Sequence, residues 1–317
     1  GEFRIFARFF SEFRLTKNTF LNRFLQLPQG SIFLRPVRTS SLGRVNRLLR
    51  WLFVIGIVYT GLLLILFFFQ EQMLYFPQRI AKERASALLG GKDTEALSFK
   101  MTDGVTVRGW LVKSASPKPL SLLFYYGGNA EELSHMIESS GKFGDWSLVL
   151  VNYRGYGESG GKPGETALKK DSLEIYDAVL KRPDVDPRSV VLMGRSLGTG
   201  IATYVASQRP HAGVILVSPY DSMVSVGKHH YPFFPVGLLL RHRFDSLQSA
   251  PSITSPALML AAADDSIVPN SHSRSLADHW GGKVSFVEIA NTDHNTIGFD
   301  PLYWASIQDF LTKVSRQ

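Results

Sequence analysis

Three residues in this chain have the types and the order needed for nucleophilic chemistry: Ser196 in Gly194-Arg195-Ser196-Leu197-Gly198, Asp265 in Asp264-Asp265-Ser266-Ile267-Val268-Pro269, and His294 in Asn291-Thr292-Asp293-His294-Asn295. A serine held at the tip of a tight strand-to-helix turn needs neighbours without bulky side chains two positions before and after it, and Gly194 and Gly198 supply them. Gly-x-Ser-x-Gly alone is more often a solvated serine in a glycine-rich turn, so the reading depends on partners. A hydroxyl becomes a strong nucleophile only when a general base takes its proton, and the base needs a carboxylate to fix its tautomer. His294 and Asp265 are of those types. Separately, Asp265 reads as a turn or helix N-cap carboxylate and His294 as a loop histidine. Together, in the order Ser, Asp, His and each just after an apolar run, they favour acyl transfer. Asp264 is the alternative acid.

Acyl transfer also develops negative charge on the carbonyl oxygen, which needs preorganised donors. Leu197 follows the serine at the first turn of a helix-like stretch, where amides are free and the dipole is positive, so its N–H is one expected donor. The second should come from the loop after the third strand, which reads Tyr125-Tyr126-Gly127-Gly128-Asn129-Ala130. The Asn129 N–H is the expected donor there.

The elements that must position these groups are legible from patterning. Two short strands at residues 96–100 and 105–112, with Asp103-Gly104 between them, predict a hairpin. From residue 120 onward, strand-length apolar runs alternate with helical stretches: strands at 120–126, 148–152, 189–193, 213–218, 257–262 and 284–289, helices at 131–143, 165–181, 197–208, 271–280 and 302–314. That alternation predicts a mostly parallel sheet with helices on both faces, and the unbroken apolarity of the runs fits strands covered on both sides. All three chemical residues then follow strands at the carboxyl edge, where open α/β sheets gather their sites. Residues 219–251 interrupt the rhythm and read as a short cap.

Charge and hydropathy divide the chain further. The net charge of +8 is concentrated in residues 1–50, which hold ten Lys and Arg against two Glu, whereas residues 51–317 hold twenty-five of each sign. A basic stripe for nucleic acid is therefore absent from the folded part, and the basic segment points to membrane topology. From Trp51 to Phe69 there are nineteen residues without a charge, about 28 Å as a helix, enough to cross the hydrocarbon of a bilayer. The run ends in Phe68-Phe69-Gln70-Glu71-Gln72 rather than in small residues, so a retained anchor is expected rather than a cleaved signal. Arg44, Arg47 and Arg50 precede it and the next basic residue after it is Arg79, so the N-terminus is expected in the cytoplasm and the remainder outside, periplasmic in a bacterium. Residues 44–72 are thus expected to be the span with its flanks, and 1–43 a basic, aromatic segment. Phe6, Phe9, Phe10 and Phe13 in that segment recur at helical spacing among Arg8, Arg14 and Lys17, as in a helix lying among headgroups, with a poorly ordered tail as the alternative reading. Gly1-Glu2-Phe3 reads as a cloning remnant. The chain has no cysteine, which excludes disulfides and thiolate chemistry.

The set Gly127-Gly128-Asn129-Ala130, Asn152-Tyr153-Arg154-Gly155-Tyr156-Gly157-Glu158-Ser159, Gly194-Arg195-Ser196-Leu197-Gly198, Asp265-Ser266-Ile267-Val268-Pro269 and Asp293-His294 resembles the α/β-hydrolase superfamily over about residues 95–315. It looks most like the single-pass, membrane-anchored serine hydrolases labelled serine aminopeptidase-like or lysophospholipase-like. The resemblance implies an α/β-hydrolase domain over residues 73–317 and assigns the triad acid to Asp265. It also implies His-Gly-Asn-Ala in the first loop, where this chain has Gly127 in place of the histidine, a departure that touches the packing of the loop and not the Asn129 amide.

Two other patterns carry less. Gly155-Tyr156-Gly157-Glu158-Ser159-Gly160 satisfies Gly-x-Gly-x-x-Gly after a strand, but Gly161, Pro163 and Gly164 intervene before any helix, so no dinucleotide is expected. His229-His230 lacks the spacing and carboxylates of a metal site. No cofactor and no metal are expected. The expected activity is hydrolysis of an ester or thioester of a lipophilic acyl substrate, with Phe233 and Leu239 of the apolar cap meeting the acyl chain. The rival readings are a peptidase or amidase acting on peptide N-termini, for which no amine-binding carboxylate cluster stands out, and a catalytically silent binding module.

Overall fold

The computed structural model describes residues 41–315 apart from 92, 117 and 118. The expected headgroup helix at Phe6 to Phe24 lies outside the described residues. Residues 1–58 and 59–317 form separate units, and the described part of the first is helical.

Helix α1 (Ser41–Leu74) is long and apolar enough over Val45–Leu74 to cross a membrane; its most apolar stretch is unburied, whereas Gln70 near its end is buried. Helix α2 (Lys82–Ala87) leads into an eight-stranded sheet. Its strands are β1 (Thr94–Lys100), β2 (Thr106–Val112), β3 (Leu120–Tyr126), β4 (Trp146–Val151), β5 (Val185–Arg195), β6 (Gly213–Val217), β7 (Ala257–Ala262) and β8 (Val284–Ile289). The spatial order is β1-β2-β4-β3-β5-β6-β7-β8. The β1–β2 and β2–β4 pairs are antiparallel and every other pair is parallel. The hairpin between β1 and β2 turns at Gly104, whose φ of +84° suits a residue without a Cβ.

The unbroken apolar runs have the explanation the sequence suggested. β6 and β7 are buried along their whole length, and alternate residues of β3 feed two cores. Leu122, Phe124 and Tyr126 join one, Leu123 and Tyr125 the other, as the two-residue period of a strand requires. The first core takes Leu168 and Ile175 of α3 (Glu165–Leu180), Ile201 and Val205 of α4 (Leu197–Ala206), Val226 of α5 (Met223–His230) and Leu276 of α6 (Asn270–Asp278). The second takes Ile307, Phe310 and Val314 of α7 (Pro301–Val314).

The helix expected over 131–143 does not form. Only a turn at His135–Glu138 and a 3-10 turn at Ser140–Phe143 are present. Local side chains compete with the helical ladder there: Glu131 accepts the Gly128 N–H, and Glu132 accepts the Ser134 N–H and hydroxyl. Gly144, at φ +61°, stops what remains.

Candidate active site

Ser196 sits between β5 and α4 with φ 50° and ψ −118°, a conformation that bulky residues rarely adopt. The glycines around it are demanded by contact. A Cβ on Gly194 would lie 2.4 Å from the Gly198 carbonyl oxygen, and one on Gly198 would lie 2.0 Å from that of Tyr126. The Ser196 N–H donates to the Val217 carbonyl at 2.9 Å, which pins the turn to β6. The serine hydroxyl is thereby fixed past the carboxyl end of a central strand.

The structure brings the three residues into one line. His294 Nε2 lies 2.9 Å from Ser196 Oγ, and His294 Nδ1 lies 2.7 Å from Asp265 Oδ2. An ionised carboxylate can only accept, so Nδ1 carries the ring proton and Nε2 is left to accept from the serine. Asp265 is in turn oriented by its other oxygen, which accepts the N–H groups of Ile267 at 2.9 Å and Val268 at 2.7 Å. Burial pushes the Asp265 carboxyl up, but the bond from His294 and the Val268 amide outweigh it, so it is held below the usual carboxylate range. Asp264, one residue away, is exposed, and its N–H is used on the Thr292 carbonyl.

The loop after β3 lies against the serine, since a Cβ on Gly128 would come within 3.7 Å of Ser196 Cβ. Among the described residues neither the Leu197 N–H nor the Asn129 N–H has a hydrogen-bond partner in the protein. Asn129 is held by its other polar atoms. Its carbonyl accepts the Phe76 N–H at 3.0 Å and the Tyr156 hydroxyl at 2.5 Å, and its side-chain amide donates to the Leu74 carbonyl at 3.2 Å. The loop thus grips the end of α1. Gly127, where the family resemblance implied a histidine, has no room for one while Leu133 stays in place, because a Cβ would lie 2.7 Å from its Cδ2. Tyr153 compensates by donating its hydroxyl to the Gly127 carbonyl at 3.0 Å, and Glu131 by accepting the Gly128 N–H at 2.6 Å.

Several residues that the motifs did not single out complete the arrangement. Arg195 donates to the His294 carbonyl at 3.1 Å and reaches Glu131 at 3.5 Å. Glu131 also accepts the Tyr125 hydroxyl at 2.7 Å and pairs with His135 at 3.3 Å. Burial would raise the Glu131 carboxyl, but His135, Arg195 and the Gly128 amide bring it down to about 2. The position of Arg195 inside the serine motif was the signal for it, while Glu131 had none beyond nearness to Asn129. The Gly155–Gly160 pattern, which is no helix-opening phosphate loop, is a packed turn. Gly155 and Gly157 have φ of +82° and +53°, and Tyr156 between them reaches Asn129.

The structure joins both proposed cap residues to α1. The Phe233 carbonyl accepts the Tyr59 hydroxyl at 2.8 Å, and the Leu239 carbonyl accepts Gln70 Nε2 at 3.1 Å. The Phe233 side chain is 85% exposed, whereas Leu239 is half-buried. Neither is brought into the Ser196, His294 and Asp265 line by a hydrogen bond.

The sheet order, the tight serine turn and the groups at its carboxyl edge define an α/β-hydrolase architecture. The family model for the alpha/beta hydrolase fold matches residues 119–241. An uncharacterised Mycobacterium tuberculosis protein, Rv2307c, is 30% identical over 245 residues, covering 76% of this chain and 86% of that protein. An uncharacterised membrane protein of Saccharomyces cerevisiae is 30% identical over 228 residues, covering 68% of this chain and 79% of its own length. Among solved structures, the Pyrococcus furiosus esterase Pf2001 superposes with a TM-score of 0.59 at 16% identity, covering 76% of this chain and 97% of that one, a likeness of fold. The chain belongs to the α/β-hydrolase superfamily.

Proposed function

We propose that the protein is a membrane-anchored serine hydrolase that cleaves an ester or thioester of a lipophilic acyl substrate through an acyl-enzyme. The observation that carries this reading is the hydrogen-bonded line from Ser196 to His294 to Asp265, with the free Leu197 amide next to the serine and the free Asn129 amide on the adjoining loop. Ser196 Oγ attacks the acyl carbon while His294 Nε2 takes its proton, and the Leu197 and Asn129 amides receive the oxyanion. Collapse of the tetrahedral intermediate breaks the bond to the leaving alcohol or thiol, which takes the proton back from His294. Water then attacks the acyl-enzyme, again losing a proton to His294, and Ser196 leaves with that proton. Asp265 stays ionised and stabilises the imidazolium throughout.

Anchoring is supported by the span at Val45–Leu74 and by the name of the yeast relative. The arginines before residue 51 support a cytoplasmic N-terminus and a catalytic domain outside. The lipophilic substrate is supported by the apolar cap, with Phe233 and Leu239 proposed to meet the acyl chain.

Labelling with a serine-reactive fluorophosphonate, followed by an acyl-ester series and an aminoacyl-amide panel, tests the reading. Ser196-dependent labelling is expected, as is kcat/KM that rises from acetyl to octanoyl esters, each buried methylene contributing up to about 0.8 kcal/mol. Absence of labelling would leave a silent binding module, and faster turnover of aminoacyl amides would leave a peptidase.

A further inference from the structure

The ten residues Tyr231-Pro232-Phe233-Phe234-Pro235-Val236-Gly237-Leu238-Leu239-Leu240 carry no charge. They are framed by Lys228, His229 and His230 on one side and by Arg241, His242 and Arg243 on the other. Two of their large side chains face away from the protein altogether, Phe233 at 85% and Leu238 at 86% exposure. In water that is a costly way to end an apolar loop.

Hydrogen bonds fix where the loop stands along α1. Gln70 holds its returning end, donating to the Leu239 carbonyl and accepting the Arg241 N–H at 2.7 Å. At the same level the Arg241 guanidinium lies 3.3 Å from the Glu71 carboxylate and 5.3 Å from the centre of the Phe67 ring. The tip is held eleven residues earlier on the helix, where the Tyr59 hydroxyl donates to the Phe233 carbonyl and its ring stacks on Phe234 at 6.0 Å. Eleven residues of α-helix rise about 16 Å, roughly half the thickness of a bilayer's hydrocarbon. Charges therefore cluster at the level of Phe67 to Glu71, and the uncharged tip stands deep along the apolar face of α1.

Most of the loop's backbone is also satisfied internally, which lowers its cost in a medium without water, where every unmet polar group is expensive. Pro232 and Pro235 have no N–H to satisfy. Six of the eight N–H groups in residues 231–240, those of Tyr231, Phe234, Val236, Leu238, Leu239 and Leu240, bond to nearby carbonyls, and those of Phe233 and Gly237 do not. The outward carbonyls of Phe233, Gly237 and Leu239 are met by Tyr59, Arg243 and Gln70.

We infer that residues 231–240 dip into the bilayer beside α1, with Phe233 and Leu238 among the lipid acyl chains and the flanking Lys228, Arg241 and Arg243 at the headgroups. The inference rests on α1 being a membrane span, and it deepens the proposed substrate class: the acyl chains that the cap meets are those of molecules resident in the membrane. On that reading the ester comes from the bilayer rather than from water.

The cysteine-free sequence makes the test direct. Full-length protein carrying one cysteine at a time, F233C, L238C, I57C or K283C, is labelled with an environment-sensitive fluorophore and placed in phosphatidylcholine–phosphatidylglycerol vesicles containing acyl-chain nitroxide lipid. All four side chains are exposed, so the substitutions cost little protein packing. Probes at 233, 238 and 57 are expected to shift to the blue, lose fluorescence to the nitroxide and resist aqueous iodide, while the probe at 283 does the reverse. If 233 and 238 behave like 283 while 57 reports lipid, the dip is wrong and the span stands. If 57 also reports water, the span is wrong and the dip falls with it.

Discussion

The Arg195 guanidinium donates to the backbone carbonyl of His294 at 3.1 Å, so the residue immediately before Ser196 holds the loop that carries His294. Its other arm reaches Glu131, whose carboxylate accepts the Gly128 N–H beside the serine. The serine turn, the His294 loop and the loop after β3 are thus tied to one ion pair. Arg195→Lys keeps the charge and loses the planar fork. It is expected to lower kcat about tenfold, or about 1.4 kcal/mol of transition-state stabilisation, with KM nearly unchanged. A variant in which KM rises and kcat holds would make Arg195 a substrate-binding group instead.

Ser196→Ala should reduce kcat by on the order of 10⁵ to 10⁶, because nucleophile, base and acid act as a unit and the amides alone give only residual catalysis. Steady-state hydrolysis of a short ester measures it, and turnover within a few-fold of the wild type would remove Ser196 from the mechanism.

Asp265→Asn leaves an amide that can present N–H to His294 and so favours the wrong tautomer, with an expected loss of about 10⁴ in kcat. Asp264→Asn, at an exposed side chain, should stay close to wild type. Measuring the pair side by side decides the acid, and the opposite ranking would transfer the role to Asp264.

The acid limb of stability carries a signature of Glu131. Its carboxyl falls from an ordinary 4.5 to about 2 in the fold. The unfolded chain therefore takes up a proton at this site near pH 4.5, and the folded protein does so only near pH 2. The stabilisation is complete above pH 4.5 and is lost as pH falls toward 2. Glu131→Gln should be less stable than wild type at neutral pH, and the gap in Tm should close as the pH drops below 4.5. A gap that stays constant across that window would mean the carboxylate charge contributes nothing.

The proposed orientation rests on the arginine asymmetry around α1. Alkaline phosphatase fused after Gln317 should be active in a bacterial host, and a fluorescent cytoplasmic reporter at the same point should be dark. The reverse pattern would place the hydrolase domain inside the cell.

The sheet and the tight serine turn were legible in the sequence because both depend on local signals. Apolar runs too short for helices marked β3 to β7, and Gly194 and Gly198 marked a turn that tolerates no Cβ. Asp265 could be preferred to Asp264 only through the resemblance, and the structure separates them by burial. What was hidden depends on contacts distant in sequence. Glu131 and Glu132 spend their carboxylates on neighbouring amides and so undo the helix that the pattern of residues 131–143 predicts. The bonds from Tyr59 and Gln70 to the cap join positions roughly 170 residues apart, and no periodicity announces them.

Asn129 bonds through its carbonyl to Phe76 and through its side chain to Leu74, and this bears on what proteolysis at the membrane surface would do. A cut after Phe76 would separate the domain from α1 and would also remove Leu74 and Phe76, which hold Asn129, and Gln70, which holds the cap. Under the proposed function, such shedding is expected to inactivate the protein rather than liberate a working soluble form. A preparation trimmed to begin at residue 77 should be judged as damaged at its oxyanion loop before any weak turnover is ascribed to the missing bilayer.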